Sequence, residues 1–180
     1  MTELLDHLRA HARAVRREYS HGEHRPLGGY AGTLAVYTTS AGLAALAYRL
    51  SGRRLPDRLR AGDLALAAVA TGKLSRLLAK DPVTSPIRAP FTRYEGQSGP
   101  AELSEEVRGT GARKTVGELL TCPFCSGQWV ASAFVAGLLV APRPTRALAA
   151  LFTVAAGADL YQHAYALVEQ LSENPPTGRD

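Results

Sequence analysis

The sequence predicts an all-α protein, a small helical membrane bundle of three to four transmembrane helices with a cytoplasmic loop. Three observations carry that prediction. Leu27–Tyr48 runs 22 residues without a charge or a histidine, and Leu119–Pro142 runs 24 residues without a charge. A third apolar stretch, Ala147–Val168, is interrupted only by Asp159 and His163. A helix as long as the first run rises roughly 33 Å, which matches the hydrocarbon core of a bilayer.

Whole-chain averages are less informative. The 180 residues are 46% apolar and 21% charged, near the globular norm, which excludes collagen, a disulfide-rich scaffold and a wholly disordered chain. They do not exclude a membrane protein, because hydropathy is read by segment. The net charge of +5 and pI near 9.5 suit anionic lipid, nucleic acid or cytoplasmic membrane loops. Nucleic acid is disfavoured: aromatics are only 7%, and Asp57, Asp63 and Asp81 interrupt the basic residues. No Gly-rich loop leads into Lys-Ser/Thr, so no nucleotide site is expected. The expected partners are the lipid bilayer and either a membrane protein or a second copy of the chain.

Residues 1–26 read as an amphipathic helix and a turn. Leu4, Leu8, Val15 and Tyr19 recur at helical spacing with Arg9, Arg13, Arg16 and Arg17 between them. This suits an anionic membrane surface, or equally a solvent-facing helix. Charges throughout this segment argue against a secretory signal. Residues 27–168 read as the membrane domain. In its first span, 27–48, Gly28 and Gly32 form a small-xxx-small pair, and Tyr30 and Tyr48 sit near the two ends. Segment 62–80 starts apolar but runs into Lys73, Arg76 and Lys80, giving either a short span or an interfacial helix with snorkelling side chains. Residues 81–117, broken by Pro82, Pro86, Pro90 and Pro100 and loosened by Gly96, Gly99, Gly109 and Gly111, read as the loop. Spans 119–141 and 147–168 form an antiparallel hairpin across a short proline-rich connection. The tail 169–180 is expected to be disordered.

Lys and Arg number 5 before the first span, 13 from Arg49 to Lys114, and 3 beyond. The positive-inside rule therefore puts the central basic region in the cytoplasm. Three spans leave the N-terminus outside; four put both termini in the cytoplasm. Either way, loop 81–117, Cys122 and Cys125 face the cytoplasm.

Two constellations carry candidate chemistry. Cys122-Pro-Phe-Cys125 opens a helix, with Pro123 suited to its first turn and the thiols near the positive helix end. The pair reads as a thiol–disulfide couple, as half of a zinc site with His7 and His11 as further ligands, or as small side chains at a helix start with Trp129 as an interfacial anchor. No other cofactor is expected. Asp159 and His163 share a helix face at i, i+4, reading as a proton or ion relay, or as a buried pair in which Asp159 meets Lys73 or Arg76.

The runs Gly72-Lys-Leu-Ser-Arg-Leu-Leu-Ala-Lys-Asp81, Val83-Thr84, Pro86-Ile-Arg-Ala-Pro-Phe91 and Gly117-Glu-Leu-Leu-Thr-Cys-Pro-Phe-Cys-Ser-Gly-Gln-Trp129 resemble the family called domain of unknown function 1360, over roughly residues 30–165. The matched positions are Lys73, Arg76, Asp81, Thr84, Arg88, Pro90, Phe91, Cys122, Cys125 and Trp129. The resemblance implies a small integral protein of the bacterial cytoplasmic membrane and no assigned activity. The Ala- and Arg-rich usage suits an actinomycete. A non-enzymatic assembly or interaction protein is the leading expectation, and a thiol redox or zinc protein the alternative. Asp81 and Arg88 are expected to tie the loop down, and Phe91 to dock beside Trp129.

Overall fold

Apolar runs rich in Ala and Leu favour helix, and helices dominate the computed structural model, which describes residues 2–20 and 26–173. In chain order the elements are α1 (Thr2–Ser20), α2 (Leu27–Leu50), α3 (Ala61–Lys80), a single 3-10 turn (Pro82–Thr84), α4 (Ser85–Arg88), strands β1 (Thr92–Gly99) and β2 (Glu102–Val107), α5 (Gly111–Thr121), α6 (Pro123–Val140) and α7 (Pro142–Glu173). Proline marks the starts of α6 and α7, where its missing N–H costs nothing.

Helix α3 packs against both α6 and α7. The residues at these contacts are apolar: Ala67 and Ala70 of α3, Val130, Phe134 and Leu138 of α6, and Ala149 of α7. The buried positions of α6 (Ser126, Val130, Phe134 and Leu138) recur every fourth residue, so a single stripe is covered. At one end of the bundle, Arg146 of α7 makes a two-pronged bond to Asp63 of α3, both N···O distances being 2.8 Å. Towards the other end Lys73 meets Asp159. Helices α3 and α7 therefore run in the same direction. Tyr30 bonds Glu118, Tyr37 bonds Ser132, and Arg53 reaches the Val140 carbonyl, so α2 and α6 run in the same direction as each other. Ser75 lies against Gly127, which sets the two pairs antiparallel. The start of α2, the end of α3, the hairpin, α5 and Cys122 thus lie at one end, called here the hairpin end.

Several expectations need correcting. The chain is mostly helical but not all-α: β1 and β2 form an antiparallel hairpin in register from Thr92↔Val107 to Gly99↔Glu102, with irregularities at Tyr94/Gly96 and Gln97/Gly99. Loop 81–117 is thus a folded unit. The span drawn at 119–141 breaks at Cys122, whose backbone is extended between α5 and α6. Segment 62–80 is one continuous helix at the centre of the bundle. Residues 169–173, placed in the tail, belong to α7; residues 174–180, like the turn at 21–25, lie outside the described residues.

Of the described helices, only α6 is long and apolar enough to cross a membrane by length and composition. The three-to-four-span count is therefore not reached on hydropathy. Gly, Thr, Ser and Tyr dilute α2, while Lys73, Arg76 and Lys80 interrupt α3, and Asp159, Gln162 and His163 interrupt α7.

Candidate functional site

Of the candidate site residues, His7 and His11 lie on α1, while the hairpin end holds Lys73, Arg76, Asp81, Thr84, Arg88, Cys122, Cys125, Asp159 and His163. Its centre is Arg88. The last carbonyls of an α-helix lack intrahelical partners, and α3 ends immediately before this residue's segment. The Arg88 side chain is fully buried. Its Nε donates to Glu105 Oε2 at 2.5 Å. One terminal nitrogen donates to the Leu78 carbonyl at 2.8 Å and to Thr84 Oγ1 at 2.6 Å. The other donates to the Asp81 carbonyl at 3.0 Å and to Ser85 Oγ at 3.2 Å. A guanidinium has five N–H donors, and each has an acceptor here. Thr84 Oγ1 in turn donates to the Leu77 carbonyl at 2.6 Å. Asp81 Oδ1 accepts from the Val83 N–H at 2.8 Å, starting the 3-10 turn. The Asp81-Pro-Val-Thr-Ser-Pro-Ile-Arg88 segment is therefore a cap for α3, and Glu105 of β2 supplies the counter-charge.

The neighbouring carbonyls are held as well. Arg113 Nε donates to the Pro90 carbonyl at 3.0 Å, and Arg108 to that of Ala89 at 2.8 Å. Phe91 sits over Gly117 of α5, where an added Cβ would fall 3.2 Å from the Phe91 carbonyl oxygen. Trp129 instead meets Tyr37 edge-on, ring centroids 5.1 Å apart. The expected Phe91–Trp129 contact is replaced by these two.

Beside the cap lies a cleft of about 140 Å³ lined by Lys73, Arg76, Lys80, Glu102, Asp159 and His163 among others. Lys73 Nζ bonds Asp159 at 2.5 Å, and Arg76 Nε bonds Glu102 at 2.5 Å. The cleft thus mixes both signs, with its main charges already paired.

Cys122 and Cys125 form a disulfide, with Cα atoms 5.2 Å apart. Cys122 is the N-cap of α6, and its Sγ accepts the Cys125 N–H at 3.2 Å. Oxidised sulfurs offer no thiolate to zinc. His7 and His11 lie on α1, both exposed, and among the described residues no three of His, Cys, Asp and Glu gather as a metal site.

Sequence reasoning missed Glu105, Asp63–Arg146 and the Tyr37–Gln128–Ser132 seam, in which Gln128 Nε2 donates to Tyr37 Oη at 2.8 Å. Glu105 stands in an acidic strand, Glu-Leu-Ser-Glu-Glu-Val, where no local signal separates its buried carboxylate from those of Glu102 and Glu106.

A mostly helical chain with a capped hairpin end, a cysteine pair at a helix start and, among the described residues, one helix both long and apolar enough to cross a membrane is what these features define. It belongs to the family described as "Protein of unknown function (DUF1360)", whose model matches residues 66–165. That match begins within α3, later than the residue 30 suggested by sequence motifs alone. The chain is similar to the "Sporulation protein YjcA" of Bacillus subtilis (strain 168), 32% identical over 95 residues that cover 51% of this chain and 80% of that protein. No solved structure matches the chain.

Proposed function

We propose that this chain is a multi-pass integral membrane protein, with α2, α3, α6 and α7 crossing the bilayer, that serves as a non-enzymatic assembly or interaction subunit. The observation that carries the reading is α2. It runs 24 residues, has Arg49 near its end as its one charge, and buries none of them. Leu34 and Leu43 are each more than 60% exposed. On α7, Leu151, Val154 and Leu160 likewise face outward. Contiguous apolar surface of that kind needs a medium or partner to cover it. The buried residues of α3 and α7 are small (Ala67, Ala70, Ser75, Ala79 and Ala149), and small residues at helix contacts are what packing in lipid favours.

Four crossings put the start of α2, the end of α7 and the hairpin on one side. That side carries Lys80, Arg88, Arg93, Arg108, Arg113 and Lys114 and five further arginines in the segment ahead of α2, against seven arginines on the other (Arg49, Arg53, Arg54, Arg58, Arg60, Arg143 and Arg146). The positive-inside rule assigns it to the cytoplasm, with Cys122 and Cys125 at the cytoplasmic mouth of α6. A role in assembly fits the cap, whose polar groups bond one another rather than face a cavity. The Bacillus relative's name offers a developmental setting, sporulation, for such a subunit.

Fractionation with alkaline carbonate washing is expected to leave the chain in the membrane pellet. In a Cys122→Ser, Cys125→Ser background, Ser51→Cys should react with an impermeant maleimide in intact cells, and Ser98→Cys only after permeabilisation. Recovery in the supernatant without detergent would overturn the membrane reading. Labelling of both positions from the same side would overturn the four crossings.

A further inference from the structure

We propose that Cys122 and Cys125 are a redox pair that exchanges its disulfide with the dithiol of a partner protein, Cys125 Sγ being the sulfur attacked and Cys122 Sγ the one released. This goes beyond the membrane reading and stands independently of it.

Access sets the direction of attack. Cys125 is exposed and Cys122 half-buried, so an incoming thiolate reaches Cys125 first. Phe124, between them, is 94% exposed and offers an apolar contact to residues flanking the partner's thiols. Leaving-group stability selects Cys122. Its Sγ already accepts the Cys125 N–H at 3.2 Å, and it caps an 18-residue helix whose positive end favours a thiolate. Disulfide exchange is faster when the departing sulfur is the better thiolate.

The bond is poorly suited to bracing the fold. Stabilisation by a disulfide grows with the loop it closes, and this one closes a sequence separation of only 3. The same turn is already held by backbone bonds from the Cys125 and Ser126 N–H groups to the Cys122 carbonyl, at 3.1 and 3.0 Å.

The exchange balances as follows. A partner thiolate attacks Cys125 Sγ, the Cys122–Cys125 bond breaks, and Cys122 leaves as a thiolate. The partner's second thiolate then attacks its own sulfur in the mixed disulfide and releases Cys125. Two electrons pass from the partner dithiol to the pair. The partner's two thiol protons reach Cys122 and Cys125 through solvent.

The test uses the full chain, in detergent if it fractionates with membranes and in buffer if it does not. Dithiothreitol should open the disulfide while the protein stays folded, turning no maleimide–polyethylene glycol adducts into two per chain. Oxidised glutathione should restore the unlabelled state. Brief exposure of the oxidised chain to reduced glutathione, with acid quenching and peptide mass analysis, should place the mixed disulfide on Cys125. A bond that resists dithiothreitol until the protein is denatured would make the pair a structural brace and overturn the proposal. So would failure to reoxidise, or an adduct on Cys122. None of these outcomes depends on membrane location, so the two readings fail separately.

Discussion

Helix α2 and the Arg88 cap are built on opposite plans. In α2 the apolar side chains point outward and no residue is buried. In the cap a charged side chain is fully buried and every one of its donors is used. The cap carries its own solvent, a shell of carbonyls, hydroxyls and one carboxylate. α2 must find its solvent outside the chain. Substitutions in the cap should therefore report on internal bonding whatever the medium, while substitutions on α2 should report on the medium itself.

The sharpest contrast comes from Arg88→Ala. It leaves Glu105, only 6% exposed, as a buried charge without its partner. It also frees the Leu78 and Asp81 carbonyls. Breaking a buried pair from one side costs roughly 3–5 kcal/mol. Unfolding transitions in detergent, or protease cleavage at the hairpin, should show that loss. Arg88→Lys should rescue little, because an ammonium cannot reproduce the planar fork. Arg88→Met combined with Glu105→Leu should recover much of it, since neither charge is then stranded. Equal stability of Arg88→Ala and the wild type would mean that the cap does not hold the hairpin.

Next in size is Val36→Arg on the outward face of α2, where Val36 is 59% exposed. In water an exposed position tolerates arginine almost freely. At mid-membrane depth arginine costs about 2.5–3.5 kcal/mol. A large fall in the carbonate-resistant fraction is expected, with no change in cap stability. Unchanged fractionation would place α2 against water rather than lipid.

The two plans also differ in how legible they are from sequence. The apolar runs of α2, α6 and α7 announce themselves because a missing charge over many residues is a local property. The cap does not. Asp81, Thr84 and Arg88 stand out as polar residues among prolines, but their partners are the α3 carbonyls, which every sequence has, and Glu105, one acid among several. The hairpin was hidden for a related reason. Its strands carry Gly and Glu, weak strand formers, and neither the mostly exposed β1 nor the evenly half-buried β2 shows the alternation that would reveal them. The break at Cys122 was masked because α5 and α6 meet inside one uncharged run.

A smaller effect separates neighbouring glycines of α2. A Cβ at Gly29 would collide with the Thr115 side chain of α5, while one at Gly28 meets nothing within 4 Å. Thr115 is buried, so it cannot swing clear. Gly29→Ala should cost about 1–3 kcal/mol as an overpacked contact, and Gly28→Ala should be neutral or slightly stabilising. This pair tests where α2 is anchored, independently of what covers its other face. Equal effects at both positions would detach α2 from α5.

The smallest expected change lies at the tip of the hairpin, where neither plan applies. Ala101, just before β2, has φ 56°, a left-handed conformation that a Cβ disfavours. Proline at position 100 presets the preceding turn residue. Glycine at 101 would relieve the native strain but also add freedom to the unfolded chain. The two terms oppose each other, so Ala101→Gly should shift stability by less than about 1 kcal/mol, towards stabilisation. Ala101→Val should be the informative partner, since a β-branched side chain suits that conformation least. If Ala101→Val destabilises and Ala101→Gly does not, the turn holds its left-handed residue in solution, and the register Gly99↔Glu102 that brings Glu102 to Arg76 is set there.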